Sequence, residues 1–139
     1  MKKTLEELKT LLEKAHMTGK LNPPATPEAI ADRELSLGVP IPDEIKEFLQ
    51  FSDGFELDVN FRVFPLAEIK VIDSWVNIPA GWLYLGDLIG DGCHMVSDES
   101  GRLLCLDTEC APLLSDLSLA NWLEDRIFER IEENIDEDE

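Results

Sequence analysis

Thr26-Pro27-Glu28-Ala29-Ile30-Ala31-Asp32-Arg33-Glu34-Leu35-Ser36-Leu37-Gly38-Val39-Pro40-Ile41-Pro42-Asp43-Glu44-Ile45-Lys46-Glu47-Phe48-Leu49-Gln50-Phe51-Ser52-Asp53-Gly54 is the stretch on which the reading of the chain turns. Thr26 as N-cap, Pro27 at the first helical position and Glu28 in the first turn start a helix that suits its own dipole, and Gly38 ends it. Pro42-Asp43-Glu44 repeats that start. Ile45, Phe48 and Leu49 then form the buried stripe of a second short helix, which Gly54 stops. Glu34 lies four residues after Ile30 and three before Leu37, so its carboxylate sits on or beside an apolar stripe and needs partners. The structural expectation is that it accepts hydrogen bonds from backbone N–H groups of a neighbouring turn and fixes the chain's course; the alternative is a ligand or catalytic role.

Downstream the period changes. Phe55, Leu57, Val59, Phe61 and Val63 alternate with Glu56, Asp58, Asn60 and Arg62, the period of one half-buried strand or two short ones. Leu66 to Trp75 is ambiguous between helix and strand. Trp82 to Leu85 reads as a strand closed by Gly86-Asp87. His94 to Ser97, the turn Asp98-Glu99-Ser100-Gly101, and Arg102 to Asp107 read as an antiparallel hairpin. Ser118 caps a last helix with Leu119, Trp122, Leu123, Ile127 and Ile131 inside. The acidic run 132–139 opposes that helix's dipole and is expected to fray. Upstream, Thr4 and Glu7 form a capping-box signature for a helix from Leu5 to His16 carrying Leu5, Leu8, Leu12 and Ala15, and Gly19 to Pro24 breaks it. The expectation is one α+β domain over residues 1–139: an N-terminal helix and Pro-rich arm to residue 25, a core over 26–131 and an acidic tail.

Thirty acidic against 12 basic residues give a formal net charge of −18. Such a surface repels a phosphate backbone and steers basic polypeptides toward it, so nucleic acid is not an expected partner and a basic protein is. Acidity also serves solubility alone. The N-terminus has no apolar leader pattern and no apolar run is of membrane-spanning length, so no membrane association is expected. Three cysteines without framework spacing argue against a disulfide-built secreted domain and for the reducing cytoplasm.

The candidate chemistry is sparse. Cys93-His94 suggests a nucleophile and base, but neighbours on a strand point to opposite faces. Cys105 could face His94 across the hairpin, although Leu104-Cys105-Leu106 reads as core. Cys93, His94, Cys105 and Cys110 lack the close-spaced pair of a zinc site. Gly86 to Gly92 has three glycines but no following Lys-Ser or Lys-Thr, and it misses calcium-loop spacing; it reads as a tight loop, or as an acidic loop presented to a partner. No cofactor, metal or catalytic residue is therefore expected. Trp122 reads as core. Trp75, among Asp73, Ser74 and Asn77, reads either as an interface anchor or as filler at the edge of the core.

The segment Ile30 to Leu49 with Ser52-Asp53-Gly54 resembles the opening signature of the SUKH superfamily, in its Smi/Knr-like branch. Glu34, Leu37-Gly38, Ile41-Pro42, Phe48-Leu49 and Asp53-Gly54 occupy the signature places; Asp53 stands where the family often has Asn. Val63-Phe64-Pro65-Leu66 with Glu68-Ile69, then Asp91-Gly92, Gly101 and Leu106-Asp107 match later landmarks more loosely. The resemblance implies a mainly antiparallel sheet flanked by helices, with Glu34, Gly38, Pro42 and Gly54 in structural roles. It also implies a binding protein, of the kind that acts as an immunity factor against polymorphic toxins, often nucleases. The partner-facing residues expected on this basis are Asp53, Glu56, Asp58, Asp73, Trp75, Asp87, Asp91 and Asp107, on a monomer or weak homo-oligomer. The alternatives are a housekeeping scaffold for an endogenous protein and a small enzyme using Cys93 or His94.

Overall fold

The computed structural model describes residues 1–58, 61–73, 78, 80–89, 93–107, 112–114 and 117–136. Helix α1 runs Lys2–Lys14, α2 Pro27–Leu37 and α3 Asp43–Phe51. Strands β1 Phe55–Asp58, β2 Phe61–Val63, β3 Lys70–Ile72, β4 Trp82–Ile89, β5 Cys93–Ser97, β6 Leu103–Leu106 and β7 Pro112–Leu114 follow. The chain then enters α4 Leu119–Trp122, which continues through a π-helical turn, Leu123–Ile127, into α5 Phe128–Asp136. This is the α+β arrangement expected from the sequence.

All strand pairs in the sheet are antiparallel, in the order β1-β2-β4-β5-β6-β7, with β3 also on β4. β2 pairs with the C-terminal half of β4 and β3 with its N-terminal half, so the two lie along the same side of one strand. Between them the chain leaves the sheet at Pro65 and makes the 3₁₀ turn Leu66–Glu68. The ambiguous segment thus contains both a helical turn and a strand. The excursion is tied down from two sides. Arg33 of α2 donates to the carbonyls of Leu66 at 3.2 Å and Ile69 at 2.6 Å, and the Leu66 N–H donates to Asp53 Oδ1 at 2.7 Å.

Helix grammar in the opening stretch behaves as read at Thr26 and Gly38, but Gly54 does not stop α3, which ends at Phe51 with an extended Ser52 as its C-cap. The Thr26 hydroxyl accepts from Ala29 N–H at 3.1 Å, and Gly38 ends α2 in the left-handed region at φ 76°. Glu34 Oε2 accepts from the Ile41 N–H at 2.7 Å and pairs with Lys46 at 3.2 Å, so it locks the turn between α2 and α3, with Pro42 as N-cap of α3. Gly54 has φ 89°, and a Cβ there would meet the Pro65 backbone nitrogen at 2.7 Å. Only glycine allows β1 to start this close to the excursion.

Three expectations about other segments are corrected. Thr4 does not cap α1, which begins at Lys2; it is buried within the helix and its hydroxyl donates to Glu124 Oε2 at 2.5 Å, a partner 120 residues away. Gly86-Asp87 does not close a strand, because β4 continues to Ile89. Cys105 does not face His94: the register sets His94 opposite Leu106 and Met95 opposite Cys105. The acidic run from residue 132 includes the end of α5, which is helical to Asp136.

The inner face of the sheet, with Leu83, Leu85, Leu88, Met95 and Cys105, shares one apolar core with Leu8 and Leu12 of α1, Ile45, Phe48 and Leu49 of α3, and Leu119, Trp122, Leu123, Ile127 and Ile131 of the last helix. That helix is anchored at its start by a residue of α3. Glu44 Oε1 accepts from the Leu119 N–H at 2.7 Å and Oε2 from the Ala120 N–H at 3.1 Å, while Ser118 caps Asn121 as expected. A carboxylate at a helix N-terminus satisfies orphan donors and suits the dipole.

Candidate functional site: the outer face of the sheet

The outer face carries a second, smaller apolar cluster of Ile72, Val96, Leu104 and Leu106, against which Ile78, Trp82 and Tyr84 are half buried. Beside this cluster stands a set of polar side chains centred on Asp87. How Asp87 comes to lie there follows from the register. Tyr84 pairs with Val96 but Gly86 pairs with Met95, so β4 carries one extra residue at this point. Such a bulge shifts the period-two alternation by one place. Leu83 and Leu85 face inward before it and Leu88 after it, while Tyr84 and Asp87 share the outer face. Gly86 permits the bulge, since a Cβ there would lie 2.3 Å from the Arg62 carbonyl oxygen of β2.

Asp87 has neighbours on both flanking strands, pairing with Arg62 on one side and His94 on the other. The Arg62 guanidinium donates to Oδ2, the Tyr84 hydroxyl to Oδ1 at 2.5 Å, and His94 Nδ1 lies 2.9 Å from Oδ1. Because the carboxylate only accepts, this assigns the Nδ1 proton to the histidine. The Asp87 side chain is 5% exposed while that of Arg62 is 42% exposed, so the acid is inside and its counter-charge reaches solvent. Burial by itself pushes the Asp87 carboxyl up, but the hydrogen bonds from Tyr84, His94 and Arg62 outweigh it and hold the group below the usual carboxylate range. Burial, reinforced by the bond to Asp87, raises the Tyr84 phenol, which stays a donor at neutral pH.

Aromatic rings frame the group. Phe64 meets Tyr84 edge to face at 4.8 Å between centroids, Tyr84 meets His94 at 5.5 Å, and Arg62 lies over Phe64 at 5.4 Å. The Trp82 indole N–H donates to the exposed Glu99 at 2.8 Å. The outcome is a patch of Arg62, Tyr84, Trp82 and His94 on strands and of Phe64 just after β2, with Glu56, Glu68, Asp73 and Glu99 exposed around it. Chemically its donors point into one carboxylate and leave that acid satisfied.

The acids expected to face a partner are distributed unevenly. Glu56 and Asp73 are exposed and Asp107 is half buried. Asp53 is half buried and accepts from the Leu66 N–H, and Asp87 is buried and paired with Arg62. The side chain of Asp58, together with Trp75, Asp91 and Cys110, lies outside what the structure describes. Arg62, Tyr84 and His94 were not read as a group. Arg62 is the one cation between Phe51 and Ile69, a signal that some acid nearby would be claimed, but not which.

Cys93 and His94 point to opposite faces, as strand geometry requires: Cys93 is fully buried in the main core and His94 is on the outer face. Cys93 pairs with Cys105 as a disulfide, with Cα atoms 5.9 Å apart across β5 and β6. This is one cross-strand pair and not a framework, and it removes Cys93 from any surface chemistry. Among the described residues no group of three or more His, Cys, Asp or Glu is placed to hold a metal, and no helix is long and apolar enough to cross a membrane.

A sequence model of the SMI1/KNR4 family (SUKH-1) matches residues 24–125. The chain is also 33% identical over 90 residues to Uncharacterized protein YnaB of Bacillus subtilis (strain 168); the match spans 61% of this chain and 62% of that protein, so less than two thirds of the relative's length is covered. No solved structure matches. The family match runs from the arm before α2 into the π-helical turn of the last helix, over the whole sheet whose outer face holds the Asp87 group, and the chain accordingly belongs to the SMI1/KNR4 family (SUKH-1).

Proposed function

We propose that this chain is a protein-binding immunity factor that neutralises a cognate toxin by covering its active site, and that the outer face of the sheet is the binding surface. The observation that carries this reading is the Arg62–Asp87–Tyr84–His94 group, fixed on three adjacent strands and framed by Phe64 and Trp82. Interface hot spots are enriched in Tyr, Trp and Arg held in well-packed settings, because rigid side chains lose little entropy when a partner arrives. The exposed acids at the rim supply the complementary field for a basic partner, which raises the rate of encounter. Binding without catalysis fits the chemistry of the site: the titratable groups close on one another, and the buried sulfurs face the core.

The test is co-expression with the toxin domain encoded beside this chain. The expected result is cell survival and a stoichiometric complex recovered from the lysate. A paired variant, Glu99→Lys with Glu56→Lys, keeps the fold but lowers affinity at least tenfold by reversing two rim charges. Continued killing in the presence of soluble chain would overturn the reading, and so would turnover of a substrate by the purified protein.

A further inference from the structure

Next to the Asp87 group, where β1 and β2 meet the Pro65 excursion, lies a cavity of about 160 Å³ lined by Asn22, Phe55, Glu56, Arg62, Phe64 and Glu68, with Val63 and Pro65 completing its wall. At about 30 Å³ per water molecule in the liquid, it has room for one long side chain and not for a folded segment. Its walls are of two kinds. Phe55, Val63, Phe64 and Pro65 are apolar, and Glu56 and Glu68 are exposed carboxylates. Their backbones are used by the fold, Glu68 N–H donating to the Pro65 carbonyl and Glu56 pairing with Arg62 in the β1-β2 ladder, and Glu56 also attracts the Arg62 guanidinium, but neither carboxylate is held by backbone N–H groups as those of Glu34 and Glu44 are.

We propose that this notch receives an arginine side chain of the partner; the inference rests on the protein-binding reading and deepens it. The charge count favours a cation. The Arg62 guanidinium is hydrogen-bonded to Asp87 and also attracted by Glu56, so three carboxylates, Asp87, Glu56 and Glu68, surround one cation and the group stays net negative on a chain of net charge −18. The apolar walls suit the methylene stem of a long basic side chain, whose head must stay hydrated. Arginine fits better than lysine, because its flat fork of donors can serve two carboxylates at once. The side-chain amide N–H₂ of Asn22 already donates to the carbonyls of Asp53 and Gly54, so what it offers a visitor is its oxygen, a further acceptor. The notch adjoins the aromatic patch, so one docked segment can use both.

The experiment is an amide-resolved NMR titration of the intact chain with acetyl-Gly-Arg-Gly-amide and, in parallel, with the same peptide carrying citrulline, which keeps the shape and loses the charge. Saturable shifts confined to Glu56, Arg62, Phe64 and Glu68 are expected with the arginine peptide, and at least tenfold weaker binding with citrulline. Glu56→Gln with Glu68→Gln should weaken the arginine peptide at least tenfold. Glu28→Gln with Asp32→Asn, an equal charge change on exposed α2 positions, should leave it within twofold. Equal responses to both peptides, or shifts spread over all acidic surfaces, would overturn the notch. The two proposals fail separately: a chain that binds the peptide as described but does not protect cells loses only the immunity reading, and one that protects cells without notch shifts loses only the notch.

Discussion

The two faces of the sheet are built from the same strands and do opposite things. Leu83, Leu85, Met95 and Cys105 look inward, are essentially inaccessible, and share one core with four helical segments. Tyr84, Asp87 and His94, one residue away in the chain, look outward and combine a small apolar cluster with a charged, hydrogen-bonded group. The inner face contributes stability roughly in proportion to the apolar area it removes from water. A polar group on the outer face contributes little net stability, but it fixes geometry, since leaving any member unpaired is costly. The lesson is that packing holds the fold from one side while the other side fixes the geometry of a polar group, the face proposed above for binding.

The comparison can be broken first on the inner side. Leu85→Ala removes a fully buried side chain from the main core and should cost about 2–5 kcal/mol, read as a lower urea midpoint. A cost under about 1 kcal/mol would show that the inner face is not the stabilising one. Asp87→Asn is the outer counterpart. Losing charge-assisted bonds to a buried acceptor should cost about 1.5–3 kcal/mol at neutral pH. Its pH dependence has a definite sign. The folded Asp87 carboxyl lies below its ordinary value of 3.8, so its stabilisation is present above that pH and is lost as the pH falls through the folded value. The gap between parent and variant should therefore narrow only in acid below about pH 3.8; a constant gap from pH 7 to pH 2 would contradict the assignment.

A smaller effect is expected at the seam between helices. Glu44→Ala removes the acceptor for two N–H groups at the start of the last helix and should cost about 0.5–2 kcal/mol, as other N-terminal caps do. Hydrogen exchange should show the loss first at Leu119 and Ala120. The smallest effect belongs to the rim. Glu56→Gln, at an exposed position, should change stability by less than about 0.5 kcal/mol while still weakening the peptide in the notch. A large loss of stability there would assign Glu56 to the fold instead of to recognition.

Much of the architecture was legible from local signals. The caps at Thr26 and Ser118, the Gly38 stop, the engaged Glu34 and the hairpin turn on Asp98 depend on partners at most twelve residues away, or on backbone preferences of single residues. The signature around Gly38 to Gly54 carried the family. The candidate site was not legible in the same way. Asp87 read as a loop acid because Gly86-Asp87 has turn chemistry, and the bulge that keeps the strand going is defined by the register against β5 and by a close approach to the Arg62 carbonyl of β2, neither of which is local in sequence.

What the amino-acid order determined by itself, then, is where helices start and stop, which residues alternate, and how strongly negative the molecule is, because these depend on each residue and its near neighbours. Which acids carry a free charge was decided only in three dimensions. Asp87 is claimed by Arg62 25 residues away and Glu44 by a helix start 75 residues away, whereas Glu56 and Glu68 are left open. A carboxylate's role depends on the donors that folding brings within about 3 Å of it, and spacing along the chain does not encode that distance.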